Sequence, residues 1–128
     1  MAKPRRSART ELVSSEESPS TARRFVAHTL NDWDARFDHD NALLLTSELV
    51  TNAVLHAPGA IVLHVELVQN RLRVAVTDHG PGRPVVHALD DLTRPSGRGM
   101  VIVDAVSTAW GVDALPGGAK SVWFELRI

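Results

Sequence analysis

The stretch SELVTNAVLHA, from Ser47 to Ala57, organises the chain. Its apolar residues recur with helical spacing, and Pro58-Gly59 then ends the run. Glu48 and Asn52 are four residues apart in it, so their side chains share one helix face, a turn apart. A carboxylate and an amide beside an apolar surface are costly unless something pairs with them. The stretch therefore predicts a helix whose polar residues either contact solvent or face a ligand.

Composition limits the classes of function. The chain has 128 residues, of which 44% are hydrophobic and 23% charged, as expected for one soluble domain with a sizeable core. Its formal net charge of −1 gives no general attraction to nucleic acid or to an anionic membrane. It has no cysteine, no signal peptide and no apolar run of bilayer length. We therefore expect a cytoplasmic protein that contacts neither nucleic acid nor membrane directly.

The amino-terminal part contains a basic segment and two predicted elements. Met1 to Arg9 predicts a flexible basic tail, followed by a folded domain of residues 10–128. TELVSS, Thr10 to Ser15, predicts a short edge strand. A helix should follow, with Ser18 as its N-cap and Pro19 at the first helical position, where a missing N–H does no harm.

The remaining elements lie around the central helix, which we expect to begin after Asp38 or Asp40 and to end near His56. AIVLHVELVQ and RLRVAVTD predict two strands of a hairpin, with Asn70 between them. GMVIVDAVSTAW predicts a helix, and WGVDALPGGAKSVWFELRI predicts a strand, a turn and a final strand. This order predicts an α+β fold, a two-layer α/β sandwich with helices on one face of a mixed, mostly antiparallel sheet.

Three polar or glycine-rich segments at element ends are candidates for chemistry. They are Glu48 with Asn52, the segment DHGPG from Asp78 to Gly82, and the segment SGRG from Ser96 to Gly99 just before a helix. Each also has an ordinary structural explanation. The first can be a solvated helix edge, the second a turn, and the third a loosened helix entry. Glycines before a helix also allow a phosphate to approach outward-pointing N–H groups, although a lone Gly-x-Gly is weak support.

Taken together and in this order, the three segments resemble the nucleotide site of the Bergerat-fold (GHKL) ATPases. That superfamily includes gyrase, mismatch-repair ATPases and the ATP-binding domains of histidine kinases. LTSELVTNAVLHA, VTDHGPG, SGRGMVIVDAV and the closing WGV…GGAKSVWFEL are most similar to the small anti-sigma-factor serine kinases of bacteria. The resemblance covers about residues 10–128.

The resemblance implies ATP and Mg²⁺ as cofactors, with a role for each matching residue. Asn52 would hold Mg²⁺ through its side-chain oxygen, and Glu48 would accept or orient the proton of the attacking hydroxyl. Asp78 would accept the exocyclic amine of adenine, while Gly80 and Gly82 would let the backbone approach the base and sugar.

The second half of the implied site lies further along the chain. Residues from about Arg83 to Ser96 would form a lid over the phosphates. Gly97 and Gly99, with the following helix N-terminus, would contact phosphate oxygens, and Arg98 could add a charge-assisted contact. Lys120 and Ser121 would lie behind the adenine, with the Ser121 hydroxyl near Asp78.

The resemblance further implies an ATP-dependent serine/threonine kinase that phosphorylates a small anti-anti-sigma antagonist protein and sequesters a sigma factor. A homodimer is compatible with this function. The alternative is a non-catalytic ATP-binding module that regulates through partner binding, but such a module has no use for a general base like Glu48. A detached histidine-kinase ATP domain is a third reading, disfavoured because 128 residues leave no room for a helical dimer with a phosphoacceptor histidine.

Overall fold

A computed structural model describes residues 5–56, 59–79 and 95–127. The predicted site residues Gly80 and Gly82, and the predicted lid up to residue 94, lie outside the described residues. The elements are β1 (Arg6–Val13), α1 (Ser18–Asp32), α2 (Asp40–His56), β2 (Ala60–Val68), β3 (Arg71–Asp78), α3 (Pro95–Val106), β4 (Ala109–Ala114) and β5 (Lys120–Arg127). No helix within these ranges is long and apolar enough to span a bilayer.

The described strands form one sheet in the order β1-β2-β3-β5-β4, and every neighbouring pair is antiparallel. Alternate residues of β3 are buried, among them Leu72, Val74 and Val76, whereas the residues between them are partly exposed. This period of two means that one face of the sheet packs on the helices and the other faces outward. The predicted two-layer α+β fold is therefore confirmed.

The core lies between the helices and the sheet, and α2 is its central element. This helix contacts α1, α3, β3 and β5. Leu45, Leu49 and Val50 on α2 are at most 1% exposed. Full burial of an aliphatic side chain of this size contributes about 1.5–3 kcal/mol. Because α2 has neighbours on several sides, it is apolar over more of its circumference than a surface helix.

The first strand begins earlier than the sequence predicts. β1 starts at Arg6, which pairs with Leu67 of β2, so residues 6–9 belong to the sheet and not to a tail. The guanidinium of Arg5 contacts the carboxylate of Glu66, and the hydroxyl of Ser7 lies 2.9 Å from Nε2 of His64. Pairing with β2 supplies backbone partners for these polar residues, which local composition alone does not reveal.

Ser18 is not the N-cap residue of α1 that the sequence predicts. Glu17 is the N-cap residue of α1, and Ser18 is the first residue of the helix. The Ser18 hydroxyl accepts the N–H of Ser15 at 2.9 Å and donates to the carbonyl of Val13 at 2.8 Å. The Ser18 hydroxyl therefore links the turn before α1 to the end of β1, and Pro19 takes the second helical position, one later than predicted.

The third helix begins and ends earlier than predicted. It starts at Pro95, a residue suited to a first helical turn, and it ends at Val106. Trp110, which the helical pattern had included, lies in β4 opposite Phe124. The sheet provides backbone partners for this segment, so strand pairing prevails over the local helical pattern. Gly97 and Gly99 consequently lie inside the first turns of α3 and not before it.

The outward face of the sheet carries an aromatic and charged cluster. The guanidinium of Arg73 lies 4.1 Å from the centroid of the Trp123 ring and 3.8 Å from the Asp113 carboxylate. Gly111 is directly beneath that ring, since a Cβ built there would meet a ring carbon at 2.6 Å. Glycine at 111 therefore permits Trp123 to lie flat across β4.

We predict that Gly111→Ala destabilises the fold by about 1–3 kcal/mol, as overpacking does. A strand glycine changed to alanine would otherwise be expected to stabilise. Urea denaturation measures the free energy of unfolding, and Trp123→Leu supplies the matched background without the ring. The alanine should cost clearly less there, whereas equal costs in both backgrounds would contradict the packing explanation.

Candidate functional site

The topology brings α2 and two strand ends to one edge of the molecule. β2 begins shortly after α2 ends at His56, and Ile61 of β2 pairs with Asp78 of β3. Asp78 in turn pairs with Lys120 of β5. The C-terminal turns of α2 therefore lie at the sheet end formed by Asp78 and Lys120, on the face that the helices cover.

Asn52 has the environment expected of a ligand-binding amide. The residue is 3% exposed, and its Nδ2 group donates to the sulfur of Met100 on α3 at 3.7 Å. Its Oδ1 atom is buried and has no hydrogen-bond partner among the residues that the structure describes. An unsatisfied buried acceptor costs about 1–3 kcal/mol. A hard cation would satisfy this oxygen, so the residue fits the Mg²⁺ ligand that the sequence predicts.

Glu48 lies one turn before Asn52 on the same side of α2 and is half-buried. Burial raises the pKa of its carboxyl above the ordinary value for glutamate, because the charged form loses hydration. A carboxylate with a raised pKa binds a proton more readily than an exposed one. Such a shift brings a group closer to the range in which it can act as a general base near neutral pH.

A buried ion pair occupies the strand ends. Nζ of Lys120 lies 3.1 Å from Oδ1 of Asp78, and the two side chains are 5% and 2% exposed. The ammonium is off the direction of a hydrogen bond, so this contact is an ion pair alone. It is not the sole polar contact of Asp78. The resemblance predicted only that Lys120 lies behind the adenine and gave it no contact of its own, whereas the strand register sets its ammonium beside Asp78.

The predicted approach of the Ser121 hydroxyl to Asp78 is wrong. Ser121 pairs with Thr77, one position before Asp78, and neighbouring positions on a strand face opposite sides. Ser121 lines a shallow groove on the outward face together with His64, Arg73 and Thr77. Lys120, one residue earlier, is the β5 residue that shares the helix-covered face with Asp78.

The backbone of Gly97, Arg98 and Gly99 lies in the first turns of α3. The first four N–H groups of a helix have no partner within the helix, and Pro95 lacks one. Because the N-cap residue supplies the first of these four groups, the N–H groups of residues 96 and 97 are the available donors within the described part of this helix. Among the side chains described in the structure, no three His, Cys, Asp or Glu could hold a metal ion. A cation at Asn52 would therefore need further oxygens from a ligand or water.

The family profile described as histidine kinase-, DNA gyrase B- and HSP90-like ATPase matches residues 37–128, more than half of the chain. The chain belongs to this ATPase family. The match spans α2, with Glu48 and Asn52, and both strands of the ion pair. A search of curated proteins found no match.

Two solved structures share the fold of this ATPase domain. The RsbU and RsbW domains of Rv1364c from Mycobacterium tuberculosis match with a TM-score of 0.68 and 18% identity, over 95% of this chain and 32% of that chain. The Acinetobacter baumannii histidine kinase AdeS matches with a TM-score of 0.55 and 15% identity, over 92% of this chain and 67% of that chain. The chain thus spans about a third of the length of the M. tuberculosis chain. These identities show likeness of fold alone.

The raised pKa of Glu48 predicts a pH-dependent stability. Between the pKa of the unfolded chain and that of the folded protein, the folded state binds more protons, so stability falls as pH rises. Glu48→Gln removes this loss. We expect the variant to gain stability relative to wild type as pH rises through that window, and to keep the gain above it.

Urea denaturation between about pH 4 and about pH 8, a range that begins near the ordinary glutamate pKa, measures this difference. Glu17→Gln, at the exposed start of α1, controls for the loss of one acidic group. A Glu48→Gln difference that does not change with pH, or that shrinks as pH rises, would contradict the prediction.

Proposed function

We propose that this ATPase-family chain is an anti-sigma regulatory serine kinase. It binds ATP with Mg²⁺, phosphorylates a serine or threonine of a small antagonist protein, and sequesters a sigma factor. One observation carries the proposal. The buried Asn52 oxygen without a partner lies one helical turn from a half-buried carboxylate whose pKa is raised. A cation ligand beside a general base is the arrangement that phosphoryl transfer needs.

Asn52 and the end of the sheet would contact different parts of the nucleotide. Asn52 would hold Mg²⁺ through Oδ1, and Mg²⁺ when bound would neutralise charge on the triphosphate. Asp78, at the buried end of β3, would accept the adenine amine. The N–H groups in the first turn of α3 would contact phosphate oxygens, as helix N-termini do with anions. Gly80, Gly82 and Arg98 remain proposed contacts by resemblance to the family.

Glu48 would act on the acceptor hydroxyl of the partner protein. Its carboxylate takes the hydroxyl proton while the hydroxyl oxygen bonds to the γ-phosphorus of ATP. The bond from that phosphorus to the bridging oxygen breaks, and ADP leaves with the electron pair. The half-buried position of Glu48 supports this role, because a less hydrated carboxylate has a higher proton affinity.

Partner exchange would follow from thermodynamic linkage. If phosphorylation weakens the antagonist's hold on the kinase, the kinase becomes available to the sigma factor. The M. tuberculosis structure of similar fold contains an RsbU and an RsbW domain in one chain. This likeness, with the closing segment GGAKSVWFEL, favours the anti-sigma subgroup over other branches of the family.

We predict that Asn52→Ala abolishes the Mg²⁺ dependence of ATP binding but leaves the fold intact, because the Oδ1 ligand is lost. Calorimetric titration with ATP, with and without Mg²⁺, measures the effect. Asn41→Ala, at an exposed position on the same helix, is the matched control and should behave as wild type. Equal ATP affinity of the wild type with and without Mg²⁺ would refute the assignment.

We predict that Glu48→Gln retains ATP binding but lowers the rate of transfer to a cognate antagonist protein by about 10²–10⁴-fold, the usual contribution of a general base. The amide is nearly isosteric but does not take up the proton. Single-turnover transfer of labelled phosphate gives the rate, and Glu17→Gln serves again as control. Transfer at the wild-type rate would exclude Glu48 as the base. A wild type that binds ATP and partner without transfer would favour the non-catalytic module.

A further inference from the structure

Lys120 is a buried cation that has an ion-pair partner but, among the residues that the structure describes, lacks hydrogen bonds to its ammonium group. Its side chain is 5% exposed, and its ammonium lies 3.1 Å from the Asp78 carboxylate. Within the described residues, no hydrogen bond to that ammonium is formed. A lysine carries three N–H donors, and a buried charge is stable only when it is both paired and hydrogen-bonded. The ion pair supplies the first requirement and leaves the second open.

We propose that Lys120 is a specificity-determining residue that reads the nucleobase together with Asp78. Asp78 offers an acceptor, and Lys120 next to it offers a donor, on the helix-covered face of the sheet end. Asp78 accepts the N6 amine of adenine, and Lys120 donates to the ring nitrogen N1. The inference rests on the proposed ATP site, and it adds a second contact on the Watson–Crick edge of the base.

The order of donor and acceptor decides which purine fits. Adenine presents an amine donor at position 6 and an acceptor lone pair at N1, which complements a carboxylate beside an ammonium. Guanine presents a carbonyl at position 6 and an N–H at N1. In the same orientation, guanine would therefore set acceptor against acceptor and donor against donor. Sites that leave buried polar groups unpaired discriminate strongly against such analogues.

Burial gives this contact its strength. A hydrogen bond from a charged donor is about twice as strong as a neutral one. The base would also give the Lys120 ammonium a hydrogen-bond partner where it now has none. The sequence alternation explains why Lys120 and not Ser121 has this position, since only Lys120 shares a face with Asp78.

The test compares ATP with 1-deaza-ATP, which carries C–H in place of the N1 lone pair and keeps the N6 amine. Binding to the full chain is measured by calorimetry with Mg²⁺ present. Wild type should bind 1-deaza-ATP about 10-fold to 100-fold more weakly than ATP, as expected for loss of a charge-assisted hydrogen bond. Lys120→Met should bind both nucleotides equally. GTP should bind wild type more weakly than ATP.

Arg73→Met is the matched control, because it removes one positive charge from β3, on the outward face away from Asp78. It should retain the wild-type ratio between ATP and 1-deaza-ATP. Lys120→Gln serves if the methionine variant does not fold, since its amide keeps a donor beside Asp78. The glutamine variant should show a smaller ratio than wild type, because a neutral donor forms the weaker bond.

Three results would overturn the assignment of Lys120. They are an unchanged ratio in the Lys120 variants, tighter ATP binding by Lys120→Met than by wild type, and GTP binding as tight as that of ATP. The second result would mean that Lys120 competes with the base for Asp78. Failure of wild type to bind ATP at all would instead refute the proposed function, so the two failures are distinguishable.

Discussion

Helix α2 packs on β3 and β5 and lies between α1 and α3, and its position fixes the geometry of the rest. Leu45, Leu49 and Val50 anchor it in the core. Since Glu48 and Asn52 alternate with these anchors along the same helix, their location is set by hydrophobic packing and not by polar contacts. The two candidate side chains are thus held by a rigid element, which suits a site whose atoms must keep their distances.

The candidate site on α2 and at the adjoining strand ends contains several groups that lower the stability of the fold unless a ligand pairs with them. In the described part of the chain, the Asn52 Oδ1 atom and the Lys120 ammonium are buried without a hydrogen-bond partner, and Glu48 is partly desolvated. Groups of this kind lower the free energy of unfolding unless something pairs with them. A ligand that satisfies them binds only the folded state and therefore stabilises it. Proteins commonly accept this loss of stability at functional sites.

The two faces of the sheet differ in how strongly water screens their charged pairs. On the outward face, Arg73 contacts Trp123 and Asp113, and its side chain is also partly exposed to water. Exposed pairs of this kind contribute little, because water screens them. On the covered face, Lys120 and Asp78 interact in a drier environment where the same charges interact more strongly. A single strand register separates these two environments.

Local patterns in the sequence sufficed for the fold class, for α2, for the β2–β3 hairpin and for Asp78 at the end of a strand. Hydrophobic period and turn residues act over a few neighbours, so one segment contains the information. The family resemblance added the expected roles of Glu48 as general base and Asn52 as Mg²⁺ ligand. The environment of Asn52 fits that of a cation ligand.

Other features depended on contacts between distant segments. The start of β1 at Arg6 depends on its pairing with β2. The end of α3 before Trp110 depends on the pairing of Trp110 with Phe124 of β5. The β3–β5 register places Lys120 beside Asp78, where the sequence had predicted Ser121. A shift of one residue in that register turns every side chain to the opposite face. The sequence by itself determined which elements form, and it provided the candidate site residues. Only the tertiary structure decided which of two adjacent side chains faces the site, because strand register is fixed by long-range pairing and burial.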